Sequence, residues 1–282
     1  MSKTDDAIDS ILNSYKEYGG INLNEAKVFP NRQNVIFILQ DVQYLIFPGF
    51  RTADKIDSET ARFVVGERVN RIISMLTQEI KKALAYVCEK PDSSKCFELA
   101  EQAARALVEE IPEIRRKMGM DVHAMFMGDP AARSEEEVIV SYPGVEAVMV
   151  YRIAHFLHVN GVPVIPRIMS EHAHNKTGID INPGAVIGDC FCIDHGTGIV
   201  IGESCEIGNN VKLYQGVTLG ALSVKKELMN KKRHPTIEDD VIIYANATIL
   251  GGKTVIGKGS IIGGNTWVTE SVPAGTVLTN KN

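Results

Sequence analysis

The stretch IVIGESCEIGNNVKLYQGVTL, residues 199–219, decides the fold. Within it an aliphatic side chain returns every six residues, at Ile201, Ile207, Leu213 and Leu219. Upstream the same step links Ile181, Ile187, Ile193 and Ile199. Downstream it links Ile237, Ile243 and Ile249, then Leu250, Ile256, Ile262 and Val268. Glycine follows the aliphatic residue at Gly188, Gly202, Gly208, Gly220, Gly251, Gly257 and Gly263. Six residues hold one short strand and one tight turn, and three such units close a triangular coil. The aliphatic residue then points inward and stacks on the coil above, while Gly or Asn accepts the left-handed backbone of a corner. A β-sandwich would instead alternate with period two between turns spaced roughly 8–12 residues apart. Residues 177–282 are therefore predicted to form a left-handed parallel β-helix. A polar insert, residues 220–236, interrupts it and carries Lys225, Lys226, Lys231, Lys232, Arg233 and His234. A long loop leaving a regular solenoid is commonly functional, and Arg233 and His234, at its return, are the candidates.

Residues 1–176 have a different texture and are predicted to form an all-α domain. Val69, Ile72, Ile73, Leu76, Ile80, Ala83, Leu84 and Val87 recur at three- and four-residue steps, the period of an amphipathic helix. Pro91 and Asp92 break this run. Leu99, Ala103, Ala106 and Leu107 restart it, and Pro112 is expected to end or kink it. A shorter pattern sits at Ile8, Ile11, Leu12 and Tyr15. The apolar run Ile36–Phe47 fits either helix or strand, with helix the preferred reading. Asp129-Pro130 reads as an N-cap followed by proline at the first helical position, residues 144–159 as a further helix, and a last short helix ends near Lys176.

The formal net charge of the 282-residue chain is -5, which argues against a nucleic-acid partner. No apolar run is long enough to span a membrane. Residues 1–10 are polar and hold three Asp, so no signal peptide is expected. Five cysteines at irregular spacing make a poor disulfide framework. The expected setting is the cytoplasm, with reduced thiols.

Three ionisable residues interrupt the small and aliphatic texture of the early coils: Asp180, Asp194 and His195. Asp180 and Asp194 are fourteen residues apart, near one coil's length, which would place them on neighbouring coils around a common cleft. A carboxylate beside an imidazole is equipment for taking a proton from a hydroxyl. A metal enzyme on such a helix would need three convergent histidines, and only His195 and His234 lie in the coils. Acyl transfer to another hydroxyl compound and a non-catalytic scaffold remain alternatives on these residues alone.

Four stretches carry a family resemblance: DINP (180–183), IDHGTGIVIGE (193–203), YQGVTLG (214–220) and RHP (233–235), with YRIAH (151–155) on the preceding helix. Together they resemble the serine acetyltransferases, from about Asp129 to Val272. The resemblance implies transfer of acetyl from acetyl-CoA to the L-serine hydroxyl, with no metal. It implies that His195 is the general base and Asp180 its carboxylate partner. It further implies that Asp129 and Asp194 hold the substrate amino group, and that Arg233 and His234 hold its carboxylate. Gly220, Ala221 and Ala245 would line the coenzyme cleft. A homotrimer or a dimer of trimers is implied, with the site between subunits and L-cysteine as a feedback inhibitor. The chain departs from the family pattern at Asn182, Ala221 and Tyr244-Ala245-Asn246. It ends at Asn282 without the family's extended C-terminal tail, so a stable complex with cysteine synthase is not expected.

Overall fold

The computed structural model describes residues 2–18, 28–50, 57, 59–87, 94–223 and 231–279. Cys88, Pro91, Asp92, Lys225, Lys226 and the chain end at Asn282 lie outside these residues. Among them seven helices precede the strands: α1 (Lys3–Tyr18), α2 (Arg32–Ile46), α3 (Ala61–Val87), α4 (Ser94–Gly128), α5 (Glu135–Ser141), α6 (Pro143–Val159) and α7 (Ile165–Thr177). None is long and apolar enough to cross a membrane. The apolar run is helical from Ile36 to Ile46, with Phe47 as the C-cap of α2.

Two expectations for this half need correction. Pro112 does not end its helix, because α4 runs on to Gly128. Ala100, Ala104, Leu107, Ile111, Ile114, Met118, Val122 and Met125 form one buried stripe that crosses the proline without a break. Packing of that stripe outweighs the roughly 3 kcal/mol that an interior proline costs. Asp129 is not a helix N-cap either. It heads a turn, accepting a hydrogen bond from Ala131 N–H at 2.8 Å. Ser134 caps α5, its side chain accepting from Glu137 N–H.

The second half is a left-handed parallel β-helix of about five turns. The first coil holds β1 (Asp180–Ile181), β2 (Val186–Ile187) and β3 (Cys192–Asp194). The second holds β4 (Val200–Ile201), β5 (Glu206–Ile207) and β6 (Lys212–Tyr214). The third holds β7 (Thr218–Gly220), β8 (Thr236–Ile237) and β9 (Ile242–Ile243). β10 (Thr248–Leu250), β11 (Val255–Ile256) and β12 (Ile261–Ile262) form the fourth, and β13 (Trp267–Val268) and β14 (Val277–Leu278) close the stack. Three parallel sheets result: face 1 is β1-β4-β7-β10-β13, face 2 is β2-β5-β8-β11, and face 3 is β3-β6-β9-β12-β14.

Every inward strand residue from Ile181 to Val268 is buried. The phase shift after Ile193 has a local cause. Asp180 is in register with Val200 and Val200 with Thr218, so the first coil advances 20 residues and the next 18. The two extra residues lie in the turn that starts at His195. They make Ile201 the inward residue of β4, while Ile199 is buried just ahead of the strand. Likewise Ile249 points inward and Leu250, beside Gly220, does not.

Helix α6 fastens the two halves together. The Tyr151 hydroxyl donates to Ala185 O at 2.7 Å. Arg152 donates to both Asp121 oxygens and to Gly188 O. Asp121 also accepts from Phe191 N–H, and His155 Nδ1 lies 2.8 Å from Pro183 O. One hydrophobic core runs through helices and coils without a break. We propose that the boundary between the two parts falls at 176/177, where Gly178 ends α7 in the left-handed conformation.

Candidate active site

β3 ends at Asp194, and the chain turns onto face 1 through His195, Gly196, Thr197 and Gly198. His195 has φ 59, in the left-handed region; later coils turn this corner with Gly216, Asn246 and Asn265 in the same region. Gly and Asn tolerate that backbone, whereas for other residues it costs roughly 1–3 kcal/mol. The His195 side chain is 70% exposed. Its Nε2 lies 3.6 Å from Asp194 Oδ1, longer than a hydrogen bond.

Asp194 is mostly buried, and its Oδ2 takes the Lys212 ammonium at 2.9 Å. Lys212 also donates to Gly128 O at 2.7 Å. That bond brings the end of α4, and with it Asp129, to the corner. Asp129 accepts a short hydrogen bond from the Tyr142 hydroxyl and another from Ala131 N–H. These two bonds hold its carboxyl below the usual range, with smaller help from Lys212 and His195. The same hydroxyl–carboxylate bond pushes Tyr142 up to about 12.

Asp180 faces outward at the start of β1, on the far side of this turn. Gly198 N–H donates to Gly178 O and Asp180 N–H to Ile199 O. No hydrogen bond or ion pair joins the Asp180 carboxylate to His195, whose acidic neighbour is Asp194. Asp180 and Asp194 begin and end the same coil, not neighbouring coils as their spacing suggested. They border one corner because the coil closes on itself.

Arg233 and His234 lie on the opposite edge of face 1, where the insert returns to β8. Ser204, one coil below, anchors that return. Its Oγ accepts from Arg233 N–H at 2.9 Å and from His234 N–H at 3.1 Å. Its hydroxyl and its own N–H both reach His234 Nδ1. Nδ1 is thereby the acceptor, and the ring proton sits on Nε2. The ring packs so closely on Gly202 that a Cβ there would clash with its Cδ2 and Nε2. Burial, then the Arg233 charge, pushes the His234 pKa down to about 4. This residue therefore offers a neutral N–H at ordinary pH, and Arg233 supplies the positive charge. Arg233 is itself ion-paired with Glu203.

The expected coenzyme residues divide the same way. Gly220 and Ala221 lead into the insert, whereas Ala245 sits on the histidine edge beside Tyr244. The Tyr244 ring stacks on Tyr214 at 5.0 Å. Asn182 serves its own turn, accepting from Gly184 N–H. One edge of face 1 thus holds Asp129, Asp180, Asp194, His195 and Ala245; the other holds Gly220, Ala221, Arg233 and His234. Sequence reasoning missed Lys212, Tyr142 and Ser204. Lys212 carries no signal of its own in the sequence, because Glu206 stands on an outward strand position of the same coil and an outward charge there is ordinary. Among the described residues, no group of three or more His, Cys, Asp or Glu converges to hold a metal ion.

No family model matches the chain. It is 42% identical over 259 residues to a plasmid-encoded serine acetyltransferase of Synechococcus elongatus, covering 88% of this chain and 81% of that one. It is 49% identical over 158 residues to the serine acetyltransferase of Bacillus subtilis, covering 56% and 70%. Among solved structures it resembles Entamoeba histolytica serine acetyltransferase isoform 3 in complex with cysteine, with a TM-score of 0.75 and 36% identity over 97% of this chain and 91% of that one. It also resembles soybean serine acetyltransferase complexed with serine, with a TM-score of 0.56 and 27% identity over 87% and 95%. The match to the Synechococcus enzyme spans both the helices and the coils, and the chain belongs to the serine acetyltransferase family.

Proposed function

We propose that the chain transfers the acetyl group of acetyl-CoA to the hydroxyl of L-serine, giving O-acetyl-L-serine and CoA, the first step of cysteine biosynthesis from serine. The observation that carries this reading is the histidine corner: an exposed imidazole on a strained turn, flanked by Asp194 and Asp129. His195 takes the proton from the serine hydroxyl as its oxygen attacks the thioester carbonyl. A main-chain amide near Gly220 stabilises the resulting oxyanion. The intermediate then expels the CoA thiolate, which takes the proton back from the imidazolium. Asp129 and Asp194 face the serine ammonium, and Arg233 with the Nε2–H of His234 faces its carboxylate. Asp180 supports the imidazolium once the exposed ring turns toward it. Gly220, Ala221 and Ala245 leave room for the pantetheine arm. L-cysteine, with the same zwitterionic ends, competes for the serine site. The free thiols of Cys190, Cys192 and Cys205 fit a reducing compartment, and we assign the enzyme to the cytoplasm.

The two halves of the ligand set lie on opposite edges of face 1, so one copy does not complete the site. The outward strand positions of that face are Asp180, Val200, Thr218, Gly220, Thr248, Leu250 and Trp267, with a single charge among them. Trp267 is 70% exposed and Val200 39%. A ring of three copies covers this face and sets the loop edge of one against the histidine edge of the next; two such trimers can then pair through their helices. Mixing His195→Asn with Arg233→Ala tests the arrangement. Each variant is inactive alone, and co-assembly restores activity in those clefts that receive both intact edges. A mixture as inactive as its components overturns the shared site.

A further inference from the structure

We infer that Lys212 is a positioning residue of the amino-group site: its ammonium draws the Asp194 carboxylate away from His195 and ties the Asp129 turn to β6. This inference rests on the assignment of His195 as base and of Asp129 and Asp194 as amine ligands. The Lys212 ammonium is bonded to Asp194 Oδ2 at 2.9 Å and to Gly128 O at 2.7 Å, and lies 4.5 Å from the centroid of the Tyr214 ring. Its side chain is only 14% exposed. Burial works against the charge, but bonding to Tyr214 and Asp194 outweighs it, and the pKa rises above that of an ordinary lysine. The ammonium is therefore a permanent fixture and not a proton carrier.

Its consequence is electrostatic. The charged groups around the corner are Asp180 on β1, Asp194 on β3, Asp129 on the α4–α5 turn and Lys212 on β6. Tyr142, at the start of α6, and Cys192 and Tyr214 are the nearby neutral titratable groups. Asp180, on β1, makes no ion pair with His195. Within the cluster of Asp129, Asp194 and Lys212, two carboxylates and one ammonium leave a single net negative charge, which matches one substrate ammonium; Asp180 adds a further carboxylate on the same edge. Without Lys212 that cluster would hold two negative charges, and the Asp194 carboxylate, freed at Oδ2, could close the 3.6 Å gap between its Oδ1 and the imidazole. A carboxylate in that position favours the imidazolium, the wrong protonation state for a general base.

A purely structural staple between α4 and β6 would affect stability alone, so the pH profile separates the two roles. For Lys212→Met in the full-length assembled enzyme, the acid limb of kcat/KM for L-serine is expected to move up by about one pH unit, the low end of the effect of an adjacent opposite charge. Turnover on that limb falls about tenfold at fixed pH and rejoins wild type on the alkaline plateau. KM for acetyl-CoA stays unchanged. Lys212→Arg keeps the charge and restores the wild-type profile, and Lys212→Gln replaces the Met variant if that one fails to fold. An acid limb superimposable on wild type in the uncharged variants, with His195→Asn inactive, overturns the role of Lys212 alone. Wild-type turnover in His195→Asn overturns the assignment of the base, and this inference with it.

Discussion

His195 and His234 stand on the two edges of face 1 under opposite constraints. His195 occupies a left-handed turn, is mostly exposed, and among the described residues has no hydrogen bond that fixes its ring. His234 is buried, bonded to Ser204 through Nδ1, and packed onto Gly202. A ring that moves protons needs access and tolerates strain; a ring that shapes a loop needs contact and neutrality. The backbone turn that displays His195 has been kept at a cost in stability, whereas the loop edge is built for stability. Substitution of His195 should therefore abolish activity and leave the fold intact, whereas at Gly202 and His234 the loss of stability should come first.

The largest expected effect is at the catalytic edge. Asn accepts the left-handed backbone, so His195→Asn is a cleaner test than Ala. It should lower kcat by about 10²–10⁴, the usual worth of general-base catalysis, with no loss in thermal midpoint. A variant that unfolds at lower temperature would show that His195 is structural after all.

A smaller effect is expected at Gly202. An added methyl must displace the His234 ring, and the two bonds from Ser204 to Nδ1 resist that movement. Gly202→Ala should cost about 1–3 kcal/mol by urea denaturation, the range of an overpacked core site. KM for L-serine should rise more than kcat falls, since Arg233 moves with the loop. Unchanged stability would mean that the loop edge is softer than its contacts imply.

The smallest effect is a pH dependence. The folded pKa of His234 is about 4, below the unfolded value of about 6.5. The unfolded chain therefore binds the proton first as pH falls. The stability contribution is complete above about 6.5 and drains away as pH drops through the folded value. Denaturation midpoints for wild type and His234→Gln between pH 7 and pH 4 should converge toward acid. Parallel curves would place the His234 ring in water.

Much of this was legible in the sequence because the coils are built by repetition. Each inward aliphatic residue stacks on the one before it, so a six-residue period carries the fold by itself. The errors fall where packing overrode a local signal. Pro112 stays inside α4 because its buried stripe continues on both sides. Asp129-Pro130 has the composition of a helix start, but Ser134 makes the cap. Asp194 and His195 were visible as candidates, as polar intruders in an aliphatic pattern, and the family resemblance supplied the roles proposed for them. Lys212 and Ser204 were not visible, since a strand lysine and a corner serine become significant only through what lies one coil away.

The sequence alone determined the β-helix, the helical half before it, and the residue types needed to handle a zwitterionic hydroxyl amino acid. Only the tertiary structure decided how those residues are grouped. It placed Asp129 beside His195 through Lys212 and sent Arg233 and His234 to the other edge of face 1. It also made His234 neutral. The reason is physical: a repeat fixes what is near in register, whereas charge and pKa depend on neighbours from other coils and helices, which no local pattern encodes.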